Sequence, residues 1–301
     1  MRRAGGGERK PPPPARPATS VSSQLLGSVG TLVALMLLTF VAEMALVGPV
    51  RHARQQNVLY QELRATMAAG TTPTGQLDFE GNPVQFGTPV GLLSIPSLGI
   101  REVMLEGTTS GVLMDGIGHR RDTPMPGQPG VSLVMGRQAA YGGPFGNLAD
   151  IELDSEIAVR TAQGPMLFRV TAVRYPGDPQ LPPDPEVASL TLITATGTPF
   201  LPEDVVRIDA VLDEEFEVLP APTRVYGTST LVDAEQSMAG DLRTLLPLLL
   251  WSQLLLILAA LLAWVRTVWG RWQSWIVVVP VMSAVGLQVS HLVAQLLPNL
   301  L

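Results

Sequence analysis

Hydrophobic positions collect at the two ends of the chain and alternate with polar ones in its middle, so the pattern separates membrane from soluble segments before any motif is read. Leu25 to Val47 is a run of 23 residues with a single charge. At about 1.5 Å per residue it is long enough to cross a hydrocarbon layer of about 30 Å. No A-x-A pattern follows it and it exceeds the usual signal-peptide core of about 7 to 15 residues, so it reads as a retained anchor. Leu245 to Val265 and Trp275 to Leu297 form two further spans.

Between these ends the spacing changes from helical to two-residue alternation. Asn57 to Gly70 reads as a short juxtamembrane helix, with Asn57 as its N-cap and Gly70 as its terminator. Thr71 to Pro89 reads as a linker. Strand-like runs then recur between Gly and Pro breaks: GLLSIP, REVMLEG, VSLVMG, EIAVRT, MLFRVTAVRY, SLTLIT and VVRIDAVL. EIAVRT and MLFRV flank Ala162 to Pro165 as a hairpin. Many short strands without helical crossovers favour a closed barrel or a sandwich. The Pro-rich loop Pro176 to Ala188 is either a binding element or a passive spacer.

The fold class is therefore mostly β with three transmembrane helices. The boundaries are a disordered basic tail at 1–24, a span at 25–47, a stalk and linker at 48–89, the β domain at 90–218, a linker at 219–244, a span at 245–265, a cytoplasmic loop at 266–274 and a span at 275–297.

Charge fixes the expected orientation. The net charge is −6, yet Arg2, Arg3, Arg9, Lys10 and Arg16 crowd the start, while Arg266 and Arg271 lie in the loop between the last two spans. Both groups favour the cytoplasmic side, which leaves the β domain outside, in a multi-pass cell-membrane protein. Trp264, Trp269, Trp272 and Trp275 suit an aromatic belt at that boundary. Nothing in this distribution points to nucleic acid.

Polar side chains inside the spans are Glu43, Gln253, Gln288, His291 and Gln295. Gln288, His291 and Gln295 share a helical face. Glu43 and His291 lie at similar depths, about 6 and 9 Å from the outer ends. They either meet, or Glu43 reaches the headgroups by itself while His291 packs against a neighbouring helix.

The chain has no cysteine and three histidines, His52, His119 and His291, far apart in sequence. Disulfides and thiolate metal sites are excluded, and neither a metal nor a cofactor is expected.

The order of features resembles the sortases, bacterial surface transpeptidases, and in particular the class E and D enzymes of high-GC Gram-positive bacteria. The resemblance runs from about Gly91 to Leu212 through GLLSIPSLGI, GIGHRRDTPMPGQPG, VMGRQAAYGGPFGNL, TLITATG and VVRIDAVL. It implies a closed sortase-type barrel and a site in which cysteine attacks a sorting signal, histidine moves the proton and arginine holds the oxyanion. By that resemblance Ala195 stands at the cysteine position, Arg137 at the histidine position and Arg207 at the arginine position.

Alanine carries no nucleophile and arginine does not release its proton, so thiol transpeptidation is excluded and the chain reads as a pseudoenzyme. Thr194 and Thr196 flank Ala195 on a strand and point to the other face. His119 reads as structural. Arg137, Thr194, Ala195 and Arg207 are the candidates for peptide contact, either with the two arginines converging in a cationic groove or with Arg137 in solvent or paired to Asp150 or Asp209. Expected partners are the bilayer together with sorting-signal peptides, surface proteins or an active sortase. The alternatives are an enzyme of unrecognised mechanism and a membrane-assembly protein acting through its helices.

Overall fold

The seven strand-like runs all form strands in the computed structural model, which describes residue 34 and residues 36–179, 184–222, 227, 231–268 and 271–301. The basic tail, most of the first span, the centre of the Pro-rich loop, part of the 219–244 linker and Trp269 lie outside the described residues, as do the side chains of Trp272 and Trp275. The chain divides into two units, 1–38 and 39–301. In the first unit the described residues are helical. All that follows concerns the second.

The strands are β1 (Pro89–Ile95), β2 (Ile100–Glu106), β3 (Ile117–His119), β4 (Gly130–Met135), β5 (Glu156–Thr161), β6 (Gly164–Arg174), β7 (Ala188–Thr198) and β8 (Leu201–Leu212). They close a barrel in the order β1-β2-β3-β4-β7-β8-β6-β5. β5 and β6 make the anticipated hairpin, pairing Thr161 with Gly164, whose φ of 128° only glycine holds without strain. The eighth strand, β3, is three residues long and too short for an alternation pattern to register. It runs parallel to β2, as β4 does to β7, so the barrel mixes parallel and antiparallel pairs.

Alternation along each strand fills the barrel. Leu93, Ile157, Phe168, Leu190, Leu192, Val206 and Ile208 form one buried core. Closure leaves no edge strand exposed to aggregation.

Two expectations about the helices change. The span and the juxtamembrane helix are one element, α1, running from Met36 to Ala69. Asn57 does not cap a helix; its side chain donates to Ala53 O within one. Pro49 is accommodated because the preceding turn, Glu43–Val47, is a π-helical expansion in which Gly48 N–H donates to Glu43 O. Gly70 does terminate the helix, with φ 67° and its N–H on Met67 O and Thr66 O.

The expected stalk is also docked. Leu59 and Leu63 pack against Val103, Leu105 and Val112. The Gln56 carboxamide accepts from Val103 N and donates to Asp115 O, both at 2.8 Å, so one side chain takes the place of a neighbouring strand.

After the barrel come α3 (Leu245–Val268) and α4 (Arg271–Leu296). Among the described residues, two helical stretches, Met36–Ala69 and Leu242–Leu261, are long and apolar enough to cross a membrane. Leu246, Leu249, Leu256 and Ile257 on α3 are exposed, an apolar surface that water does not favour. The third expected span falls within α4.

The polar residues of the spans divide. Gln253 is exposed on α3 and Gln288 is half-buried. Glu43 is buried, with Oε1 3.9 Å from Arg51 Nη1, and the same Nη1 lies 3.3 Å from His291 Nδ1. His291 Nε2 is 3.1 Å from Gln295 Nε2. Glu43 and His291 are thus linked through Arg51, which lies outside the segment read as a span. A cycle of Glu43→Gln, His291→Ala and the double variant is expected to show a coupling of about 0.5 kcal/mol or more in thermal or denaturant unfolding of the full chain. Additivity would mean that Arg51 carries no coupling between them.

Candidate functional site

On β7, Leu190 and Leu192 enter the barrel core, whereas Ile193 and Ala195 belong to a second buried cluster on the outer face with Met135 of β4 and Val205 of β8. The β7–β8 register places Ala195 opposite Val205 and Ile193 opposite Arg207. A strand's two-residue period therefore brings Ile193, Ala195, Val205 and Arg207 to one floor. Thr194 pairs with Val206 and is buried, with its hydroxyl on no hydrogen-bond partner. It faces away from that floor, so of the peptide-contact candidates Thr194 is removed by its side-chain direction.

Arg137 follows β4 and is fully buried. Gly136 before it lets the chain approach Phe145, since a Cβ there would lie 2.5 Å from the ring. The guanidinium does not reach solvent and pairs with no Asp or Glu side chain among the described residues. Its Nη2 donates to Ser110 O at 2.9 Å and Ser110 Oγ at 2.8 Å, its Nε to Leu113 O at 3.2 Å, and its Nη1 lies 3.5 Å from Leu301 O. The Tyr141 ring sits beside it, 5.3 Å from Cζ to centroid. Burial pushes the Arg137 pKa down to about 10, and burial raises that of Tyr141 to about 12, so the pair remains cation and neutral phenol at neutral pH.

The alternative that puts Arg137 in solvent or on Asp150 or Asp209 is thereby corrected. Asp209 is bonded to Arg174 and Thr191, and Asp150 is exposed. Arg207 is half-buried on β8. The floor beside Arg137 is apolar, and the Arg137 donors point to main-chain and hydroxyl acceptors.

The cleft is filled by the residues that follow α4. Pro298 marks the exit from the helix, and Leu300 packs with Leu113, Met135, Ile193, Ala195 and Val205. Leu301 packs with Met44, Met114, Ala140 and Tyr141. The backbone is held as well: Gln138 N donates to Leu300 O at 2.9 Å and Ala140 N to Leu301 O at 3.2 Å. Asn299 is buried, with Nδ2 on Thr108 O at 2.8 Å and Gln236 O at 2.9 Å. The sequence signal for this was a polar Asn among leucines beyond an apolar helix, which without tertiary contacts has no special meaning.

His119 lies in a separate buried network. Its Nδ1 is 2.9 Å from Glu106 Oε2 and its Nε2 is 2.9 Å from Pro124 O. A carboxylate on one nitrogen and a carbonyl on the other favour the form in which both nitrogens carry hydrogen, the imidazolium. Burial by itself would lower its pKa, but Glu106 and the Pro124 carbonyl outweigh burial and raise it. With both nitrogens committed, His119 has no free position for substrate. Nearby, burial raises the pKa of Glu235, whose carboxylate is 3.4 Å from Arg121 Nε.

Residues 93–205 match the Sortase domain family. With its eight-stranded closed barrel, this part of the chain has the sortase fold. No curated protein matches the chain. Solved structures similar to it include a Clostridium perfringens sortase D5 transpeptidase, at 20% identity and TM-score 0.45 over 53% of this chain and 99% of that one. Sortase E from Streptomyces avermitilis is 27% identical with TM-score 0.38, over 44% of this chain and 91% of that one. Sortase A from Corynebacterium diphtheriae is 18% identical with TM-score 0.40, over 64% and 96%.

Two outcomes follow from this geometry. Arg137→His removes bonds that satisfy Ser110 and Leu113 carbonyls, and is expected to cost about 2 to 4 kcal/mol of stability, whereas Arg207→Ala stays within about 0.5 kcal/mol; thermal unfolding of the full chain measures both. The His119–Glu106 pair has a raised histidine pKa, so its stabilisation is complete below the unfolded value of about 6.5 and is lost as pH rises through the folded value. The melting temperature of the native chain should therefore exceed that of Glu106→Gln most at pH 6, with the gap narrowing toward alkaline pH. A gap independent of pH would show that His119 is neutral.

Proposed function

We propose that this is a membrane-anchored, extracytoplasmic sortase-like protein that lacks thiol chemistry and binds peptide segments of surface proteins, or of a sortase partner, without turning them over. The observation that carries the reading is the absence of cysteine from the whole sequence, together with a buried alanine, Ala195, on the floor of the one apolar cleft that joins β4, β7 and β8. The resemblance puts the nucleophile at Ala195 and the proton carrier at Arg137. Alanine cannot attack a carbonyl, and a guanidinium bonded to Ser110 and Leu113 has no proton to exchange near neutral pH. No reacting pair is left.

Anchoring rests on α1 and α3, whose lengths and exposed leucines suit a bilayer. The basic residues at the start of the chain, with Arg266 and Arg271, support an orientation with the β domain outside. In that arrangement α1 and α4 present the cleft close to the membrane surface, where anchored surface proteins emerge.

The test uses the full chain in nanodiscs with sorting-signal peptides and an amine acceptor, followed by mass spectrometry. Intact peptide after prolonged incubation is the expected result, for the native protein and for Leu300→Ala alike. A hydrolysed or transferred product from purified protein overturns the reading in favour of an enzyme.

A further inference from the structure

The cleft on the outer face of the barrel is not vacant, and its occupant is the chain itself. Residues 297–301, Leu-Pro-Asn-Leu-Leu, leave α4 and run across it. Three kinds of contact hold them. Backbone donors at Gln138 and Ala140 take two successive carbonyls, of Leu300 and Leu301. The Leu300 side chain fills the cluster over Ala195 and is fully buried. The Asn299 carboxamide gives both its hydrogens to main-chain carbonyls, at Thr108 and Gln236.

The segment is a turn, in which Leu301 N–H donates to Pro298 O at 3.1 Å; main-chain bonds from the groove supply sequence-independent affinity, and the Leu300 pocket supplies choice. The contacts on the receiving side come from separated stretches of chain, so the segment closes a preassembled surface instead of extending one strand. Without an occupant, the Gln138 and Ala140 amides and the apolar floor of Ile193, Ala195 and Val205 would be left unpaired or exposed, each at a cost. The site therefore requires something of this chemistry in place.

We infer that residues 297–301 are an intramolecular ligand that keeps the groove closed, and that the external ligand is a peptide of the same kind: a turn with an aliphatic side chain where Leu300 sits and a carboxamide in the preceding position. The inference rests on the proposed binding function and gives that site its ligand class and its resting state. It also ties access to the membrane, because the occupant continues directly from α4, whose His291 is joined to Arg51 of α1. A peptide enters only when this segment leaves.

Amide hydrogen exchange of the full chain in nanodiscs reads the occupancy directly, at Gln138 and Ala140. In the native protein both amides should be protected. Leu300→Asp places a carboxylate in the apolar floor and should accelerate their exchange by about tenfold or more, while β5 and β6 keep their protection. Acetyl-Leu-Pro-Asn-Leu-Leu-amide added in trans should then restore protection, and the same peptide with Asp as its fourth residue should not. If Leu300→Asp also unprotects β5 and β6, Leu300→Ala together with Asn299→Ala replaces it in the same measurement.

Native amides that exchange freely overturn the inference, because the segment is then not an occupant. Fast exchange that neither peptide reverses also overturns it, and leaves the segment as a structural clasp. Restoration by both peptides overturns the stated ligand class. Mass spectrometry of the same samples separates these failures from that of the function itself: a cleaved peptide removes the non-catalytic reading even where protection is restored.

Discussion

The guanidinium of Arg137 is the constraint on which the site depends. Moving an arginine from water to a fully buried position costs several kcal/mol, and no Asp or Glu side chain among the described residues offsets it. What offsets it is a set of main-chain and hydroxyl acceptors drawn from separated parts of the chain, at Ser110, Leu113 and Leu301, with the Tyr141 ring alongside. Each acceptor belongs to a segment without regular hydrogen bonding of its own, apart from the short helix Val112–Asp115 (α2). One cation therefore organises the loop after β2, α2, the loop after β4 and the segment after α4.

That arrangement depends on the number of donors at position 137. A neutral imidazole has one donor and one acceptor, and could not satisfy these carbonyls together. An arginine that supplies several donors in a fixed fork can. At this position the side chain holds backbone in place. The neighbouring Ile193, Ala195 and Val205 are apolar, and Leu300 packs against them.

The helices are part of the same construction and not mere anchors. α1 docks on β2 through Gln56, Leu59 and Leu63, and His52 reaches both Met114 O and the Glu102 carboxylate. α4 is held to α1 through Arg51 and His291, and to the barrel through Asn299 and Leu300. Movement of α4 along its axis would pull on the segment that covers Ala195, so the cleft and the helices share contacts at their meeting point.

The sequence by itself determined the strands, the hairpin and the apolar helices, because these follow from local periodicity: alternation commits a segment to a half-buried strand, and a long apolar run to a helix. It also determined that no thiol chemistry is possible, since composition alone excludes it. It could not show β3, whose few residues carry no period, nor the joining of the first span to the helix after it, which rests on the π turn ahead of Pro49. The fate of Arg137 was equally hidden: solvent, a salt bridge and a cationic groove were all open, and the acceptors it found are backbone carbonyls, which every sequence possesses. Tertiary structure alone decided that Arg137 bonds to Ser110 and Leu113, and that Leu300 fills the cleft over Ala195. Those outcomes depend on which distant segments share a surface, and side-chain identity says what a residue can bond to, but not which partner closure of the barrel will bring within reach.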